Sequence, residues 1–348
     1  MRNFKSALAQ APRRLLRFMR RENLFRLLGV IAVLVLGGTA GLAYFEGRSL
    51  PDALWWSVVT LTTVGFGDIS PVSFGGRLIG VVLMFFGIGV LGMFTATIAG
   101  AFVEQRMRKD RGMESCTFEK HIILCGWNGR TKEILADLRA DARSADNDIA
   151  LVADIDAKPV PDDHLHFVRG DVTEEQLKRA GIGAASTVVI VGDRSLDYSA
   201  RDAKAVLSTL TVKGLNPRVY CIVELATEAN VRHCERACAD EIVVGAELCS
   251  RVMSTAALDH GISTVLRELL SASVGQDLVT EPVPSALAGR PFFDVFSVLK
   301  REHDKIAVAI QRQGNGAIET NPGGDAVVAA ADRLVVISAR ERRGAAAN

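Results

Sequence analysis

Thr63-Val64-Gly65-Phe66-Gly67-Asp68 stands between two uncharged runs, Leu27 to Phe45 with 19 residues and Leu78 to Val103 with 26. At ~1.5 Å per residue these helices would reach ~28 and ~39 Å, against a hydrocarbon thickness of ~30 Å, so both can span a bilayer. The second is longer than a straight crossing needs and is expected to tilt or to emerge still helical. Just ahead of the hexamer, Pro51 to Leu61 opens with Pro and Asp, as first helical turns do, and then runs apolar. About ten residues reach only ~15 Å, half a bilayer, so this helix must be re-entrant. Non-helical backbone at membrane depth is tolerated only where it faces protein or an ion path. Gly65 and Gly67 suit such a place, because turning successive carbonyls the same way demands backbone angles that residues with a Cβ resist.

The hexamer resembles the selectivity filter of a K⁺ channel, a loop in which rings of backbone carbonyls replace the hydration shell of the ion. That likeness implies four chains around one axis, K⁺ as the permeant ion, and the Thr63 hydroxyl at the innermost ion site. Phe66 stands where tyrosine is commoner; it keeps its carbonyl but lacks the phenolic hydrogen bond that would brace the filter from behind. The negative end of the short helix would favour a cation in the cavity below. The second run carries Gly80, Gly87, Gly89, Gly92 and Gly100. In channels of this type the pore-lining helix bends at a mid-helix glycine, which makes Gly87 the hinge candidate; close helix packing is the competing reading, and spacing does not separate the two.

Orientation follows from basic residues. Arg2, Lys5, Arg13, Arg14, Arg17, Arg20 and Arg21 precede the first run, and Arg106, Arg108, Lys109 and Arg111 follow the second, whereas the connecting segment has only Arg48 and Arg77. The positive-inside rule puts both termini in the cytoplasm. Leu15, Leu16, Phe18 and Met19, interleaved with arginines, read either as an amphipathic helix on the anionic leaflet or as a basic tail. The apolar run is too long for the core of a cleaved signal. A net charge of +1 gives no reason to expect nucleic acid.

After residue 116 the composition becomes that of a soluble α/β protein. His121 to Cys125 is a buried-strand pattern, followed by Gly126-Trp127-Asn128-Gly129-Arg130-Thr131 and a helix through Leu138. This order opens a dinucleotide-binding unit: Gly126 makes the tight turn and the helix amino end can hold phosphate. Asn128 and Thr131 replace the second and third glycines of the fingerprint. A second strand, Ile149 to Ala153, ends at Asp154, placed to accept both ribose hydroxyls; Asp156 is the weaker alternative. Strands then end at Gly170-Asp171, at Gly192-Asp193 and at Glu224, with helices from Glu174 to Arg179 and from Tyr198 to Val212 between them. The alternation predicts a doubly wound parallel sheet with its crevice at the strand carboxyl ends. All six cysteines, Cys116, Cys125, Cys221, Cys234, Cys238 and Cys249, fall in this half and are expected as thiols. His233, Cys234 and Cys238 could share a helix face but lack a fourth ligand for zinc.

Cys125-Gly126-Trp127-Asn128-Gly129, Arg169-Gly170-Asp171-Val172-Thr173 and Val243-Val244-Gly245 resemble the regulator of K⁺ conductance (RCK) domain. With the filter, residues 24 to 340 resemble a two-transmembrane, RCK-gated bacterial K⁺ channel. The implied division is a basic N-terminus 1–23, a pore domain 24–104 (first span 24–45, pore helix 52–62, filter 63–68, second span 77–104) and a linker 105–116. A Rossmann-like RCK domain 117–245, crossover helices 246–274 and a small α+β subdomain 275–340 follow. The likeness implies a homotetramer beneath which a ring of RCK domains gates the pore. Four added RCK-only subunits would complete an octameric ring, and Met113 reads either as an internal start for them or as a linker residue.

Two ligand classes remain open. A nucleotide (NAD, ADP or ATP) would use Gly126, Trp127, Asn128, Gly129, Arg130, Asp154, Ile155, Gly170, Asp171 and Val172. A divalent cation such as Ca²⁺ would need oxygens from Asp193 and Glu224. The rivals are an RCK subunit of a K⁺ transporter, which leaves the filter and two spans unexplained, and a membrane-anchored NAD-dependent enzyme. The six histidines, His121, His164, His166, His233, His260 and His303, show no acid-base partner, so no enzyme is expected.

Overall fold

The computed structural model describes residues 24–270, 275–314 and 316–339. The chain divides into two compact units between Arg108 and Lys109. The basic stretch 1–23 lies outside the described residues.

The first unit holds α1 (Leu24–Glu46), α2 (Leu50–Leu61) and α3 (Phe74–Asp110). Helices α1 and α3 are long and apolar enough to cross a membrane. Helix α2 starts at Ser49, whose hydroxyl accepts the Asp52 N–H and donates to the Asp52 carboxylate, with Pro51 in the first turn where no N–H is needed. Its apolar face, Ala53, Trp56 and Leu61, packs with Leu42 of α1 and Leu83 of α3. The segment from residue 105 begins as helix: α3 runs 37 residues, ~55 Å, and stays helical to Asp110. Glu104 to Lys109 are good helix formers whatever their charge. The chain turns only at Gly112, whose φ of 65° breaks the helix and whose N–H closes onto the Lys109 carbonyl.

In the second unit β1 (Ile122–Cys125), β2 (Ile149–Ala153), β3 (Leu165–Arg169), β4 (Thr187–Ile190), β5 (Tyr220–Leu225) and β6 (Glu241–Val244) form a sheet in the order β3-β2-β1-β4-β5-β6, with every pairing parallel. Helices α4 (Gly129–Ala140), α5 (Glu174–Arg179), α6 (Tyr198–Leu215) and α7 (Val231–Arg236) connect them. The continuous apolar runs have a simple cause: successive strand residues face opposite sides, and both sides are covered. Ile123, Cys125, Ala150 and Val152 pack with Ala205 and Val212 of α6, while Leu124, Ile149, Leu151 and Phe167 pack with Leu135 of α4.

Asp202 of α6 is fully buried. It accepts the N–H groups of Ala226 and Thr227, the Thr227 hydroxyl and the Asn230 amide at 2.7 to 3.1 Å, pinning the loop after β5. Asp202→Ala would leave those donors unpaired at a cost of about 3 kcal/mol. Hydrogen exchange of the full-length protein should then show amides 226 and 227 opening ~100-fold more readily; unchanged protection would refute the pinning role.

Helices α8 (Gly245–Leu258) and α9 (Ile262–Leu270) follow, separated at Gly261 with a φ of 96°. The C-terminal subdomain sets α10 (Phe292–His303) on an antiparallel sheet β7-β10-β8-β9, made of β7 (Gln276–Pro282), β8 (Ile306–Gln311), β9 (Ile318–Thr320) and β10 (Arg333–Ala339). Val295 and Leu299 of α10 pack with Ile310 of β8 and with Leu334 and Val336, alternate residues of β10.

Candidate functional site

In the first unit positive φ recurs at every second residue: Thr63 (64°), Gly65 (56°) and Gly67 (76°). An extended chain alternates its carbonyls from side to side; sending alternate residues into the left-handed region cancels that alternation and aims successive carbonyls together. Within one chain a Cβ on Gly65 or Gly67 would meet nothing within 4 Å, so there the glycines are required by backbone angle and not by room. Thr63, β-branched at positive φ, is held by its N–H to the Thr60 carbonyl, while the Val64 and Gly65 N–H groups both donate to the Val59 carbonyl at 3.1 and 3.3 Å. The loop thus hangs from the carboxyl end of α2. Its far end is tied by Trp55 Nε1 donating to Asp68 Oδ2 at 2.8 Å. The Trp55 ring also stacks on Phe66, centroids 5.8 Å apart, which supplies bracing that the missing phenol would otherwise give. On α3, a Cβ at Gly87 would lie 3.0 Å from Leu61 Cδ1, a packing reason for glycine that stands without any hinge.

In the second unit a cavity of about 490 Å³ opens at the carboxyl ends of the strands, over the point where the chain order turns from β1 to β4. Gly126, Trp127 and Asn128 line it from the β1 turn, Asp154 and Ile155 from the end of β2, and Gly170, Asp171 and Val172 from the end of β3. Gly126 has a φ of 90°, and a Cβ there would come within 3.1 Å of the Val191 carbonyl. The Asp154 carboxylate is exposed and accepts no hydrogen bond from any described residue.

Asn128 explains the altered fingerprint. Its Oδ1 accepts the N–H groups of Arg130 and Thr131 at 2.9 and 3.2 Å, and its Nδ2 donates to the Gly192 carbonyl at 2.9 Å. One side chain therefore caps α4, taking N–H groups that a phosphate would use, and ties the β1 turn to the loop after β4.

Several expected residues fall elsewhere. Gly129 and Arg130 are not in the lining; the first turn of α4 carries Arg130 round to an ion pair with Glu224. Glu224 lies within β5, which runs on to Leu225, and its second oxygen accepts the Gly192 N–H at 3.1 Å. Asp193 does line the cavity, and the Ser195 hydroxyl at 2.6 Å, with Lys204 beside it, holds its carboxyl below the ordinary range. Asp193 and Glu224 each face a protein cation, and among the described residues no three His, Cys, Asp or Glu gather to hold a metal. Asp156 pairs with Arg169 outside the lining. His233, Cys234 and Cys238 share no helix face: α7 ends at Arg236, Cys234 is buried, and Cys238 is exposed at a φ of 61°.

Sequence reasoning missed the α6 wall, Arg201, Lys204 and Ser208. Their spacing of three and then four residues was the available signal. Lys204 Nζ lies 2.7 Å from Asp171 and 3.1 Å from Asp193. Burial alone would lower its pKa, but hydrogen bonds to the two carboxylates outweigh that and raise it.

An ion-channel family model matches residues 29–104, a TrkA-N domain model 122–245, and one described as Castor and Pollux, part of voltage-gated ion channel, 246–348. The calcium-gated potassium channel TvoK of Thermoplasma volcanium is 31% identical over 303 residues, covering 86% of this chain and 85% of its own. The putative potassium channel protein YugO of Bacillus subtilis is 34% identical over 238 residues, covering 67% and 72%. This chain belongs to the potassium channels that carry an RCK regulatory domain. The channel is a membrane protein in which α1 and α3 are the apolar spans and the six-stranded sheet is the RCK core. Two spans and one loop cannot encircle an ion path, so the conducting form is an oligomer. The human SLO3 gating ring, at 17% identity and a TM-score of 0.50 over 63% of this chain and 44% of its own, shares the fold.

Proposed function

We propose that this is a K⁺-selective, ligand-gated channel of four identical chains in a bacterial plasma membrane, both termini cytoplasmic, with residues 63–68 as the filter. The RCK domains bind a nucleotide of the NAD, ADP or ATP class in the crevice and act on α3 through the residues that follow it. A ligand moves such a gate only by binding one state better. Passing from 1:99 to 99:1 needs ~10⁴-fold in all, which four equivalent sites supply at roughly tenfold each.

The observation that carries the nucleotide reading is the unpaired Asp154 carboxylate at the end of β2, facing a cavity floored by the Gly126 turn. That is where ribose hydroxyls would donate in a sheet of this order. The same lining supports binding without turnover. None of the six histidines is in it, and burial pushes the one thiol there, Cys125, far up and out of reactivity. Asp154→Ala should weaken nucleotide binding about tenfold or more through the lost hydroxyl contacts, and single-channel open probability should shift to correspondingly higher nucleotide; an unaltered response would remove the site from Asp154.

A relative named for calcium gating favours a second reading, divalent control. In this chain it would require Asp193 and Glu224 to leave Lys204 and Arg130. Calcium titration of the wild-type channel in nucleotide-free solution tests that directly.

A further inference from the structure

Of the two basic residues in the described lining, Lys204 is the one held by side-chain carboxylates. Lys204 bridges Asp171, after β3, and Asp193, after β4, and those strands flank β2 and β1 in the sheet. The ammonium therefore spans the space above the two strands whose ends floor the cavity. Arg201, the other basic residue of the lining, gives its guanidinium to the Asp193 and Leu196 carbonyls and lies over the Tyr198 ring. The amino end of α4, the usual seat for phosphate in such sheets, is capped by the Asn128 side chain. Asp154, Asp171 and Asp193 outnumber the two cations, so the lining is net negative.

A phosphate entering this space finds Lys204 and then carboxylates. Resting on the nucleotide reading above, we propose that Lys204 receives the phosphate of the bound nucleotide and that the surrounding carboxylates restrict the site to nucleotides of low charge. A dinucleotide such as NAD⁺, whose pyrophosphate is offset by a cationic ring, fits that limit. A triphosphate such as ATP brings further negative charges, and the other cation of the described lining, Arg201, is held by carbonyls and the Tyr198 ring.

The test is calorimetric titration of the full-length channel in detergent with NAD⁺, ATP and adenosine, in EDTA so that no divalent cation screens the phosphates. A unit charge near a half-exposed carboxylate is expected to alter affinity about tenfold, so NAD⁺ should bind at least about tenfold more tightly than ATP. Asp171→Asn removes one repelling charge and frees Lys204, and should strengthen ATP binding by about the same factor, a gain that misfolding does not produce. Lys204→Gln should bring NAD⁺ down to the affinity of adenosine. Wild-type protein that takes ATP as tightly as NAD⁺, an Asp171→Asn variant with unaltered ATP affinity, or a Lys204→Gln variant that still prefers NAD⁺ to adenosine overturns this inference and leaves the nucleotide reading standing. Wild-type protein that binds none of the three overturns both.

Discussion

Gly65→Ala should yield a protein that still inserts and assembles but carries no K⁺-selective flux. Gly65 sits at a φ of 56° between Thr63 and Gly67, which share the sign. Within its own chain a Cβ would strike nothing within 4 Å, so the penalty each chain carries by itself is conformational, ~1–2 kcal/mol for an L-residue held left-handed. In the fourfold pore proposed above that becomes ~4–8 kcal/mol concentrated on one ring of ligands. The chain escapes by rotating residue 65 to negative φ, and its carbonyl then leaves the row. Thr63 shows what holding such an angle takes: hydrogen bonds to Thr60 and Val59 fix the loop around it, whereas no described hydrogen bond to the peptide N–H of Phe66 or Gly67 would restrain the altered segment further along. Purified protein reconstituted in liposomes, assayed for ⁸⁶Rb⁺ uptake against competing Na⁺, reads the outcome. Wild-type selectivity in the variant would mean that residues 63–67 are not the ion's ligands.

The two apolar helices, the short helix between them and the Rossmann-like sheet were legible because each rests on a local signal: unbroken apolar length, a first-turn Pro-Asp pair, and strands buried on both faces. Emergence of the second span still helical was one of two expectations from its length; how far it runs was not legible, since Glu104 to Lys109 change the solvent they suit without changing the helix they form. The place of Asp154 on the lining was readable from its position after an apolar strand. Lys204 was not, because its partners Asp171 and Asp193 come together only through the strand order β3-β2-β1-β4, which alternation alone does not specify. Arg130 lies off the lining for a related reason. Its position next to the phosphate-binding turn suggested the crevice, but a helix turns ~100° per residue, and two residues past Asn128 its side chain already addresses β5.

Gly112→Ala is expected to disconnect the gate from its ligand while leaving the filter untouched. Beyond α3 the chain is docked on β3 and α5. The Asp110 carbonyl accepts the Lys158 N–H at 2.7 Å, the Gly112 carbonyl accepts the Arg169 N–H at 3.2 Å, and the Cys116 N–H donates to the Arg179 carbonyl at 2.7 Å. The Arg179 guanidinium also donates to the Gly112 carbonyl at 2.5 Å, and a His166 ring nitrogen bonds the Glu114 carbonyl at 3.1 Å. Gly112 is the tightest point, with a φ of 65° and a Cβ position inside contact distance of the Arg169 nitrogen and 2.9 Å from the Phe167 ring. Strain of ~1–2 kcal/mol from the backbone and ~1–3 kcal/mol from overpacking adds up in every chain of the assembly. A full swing of the gate requires ~5.5 kcal/mol altogether, so the docked strap would give way before it could transmit that work. On the nucleotide-gated reading proposed above, single-channel recording should find K⁺ selectivity intact and open probability indifferent to nucleotide, with calorimetry on the same preparation showing that the nucleotide still binds. A variant that gates as the wild type does would show that force reaches α3 by a route other than residues 110 to 116.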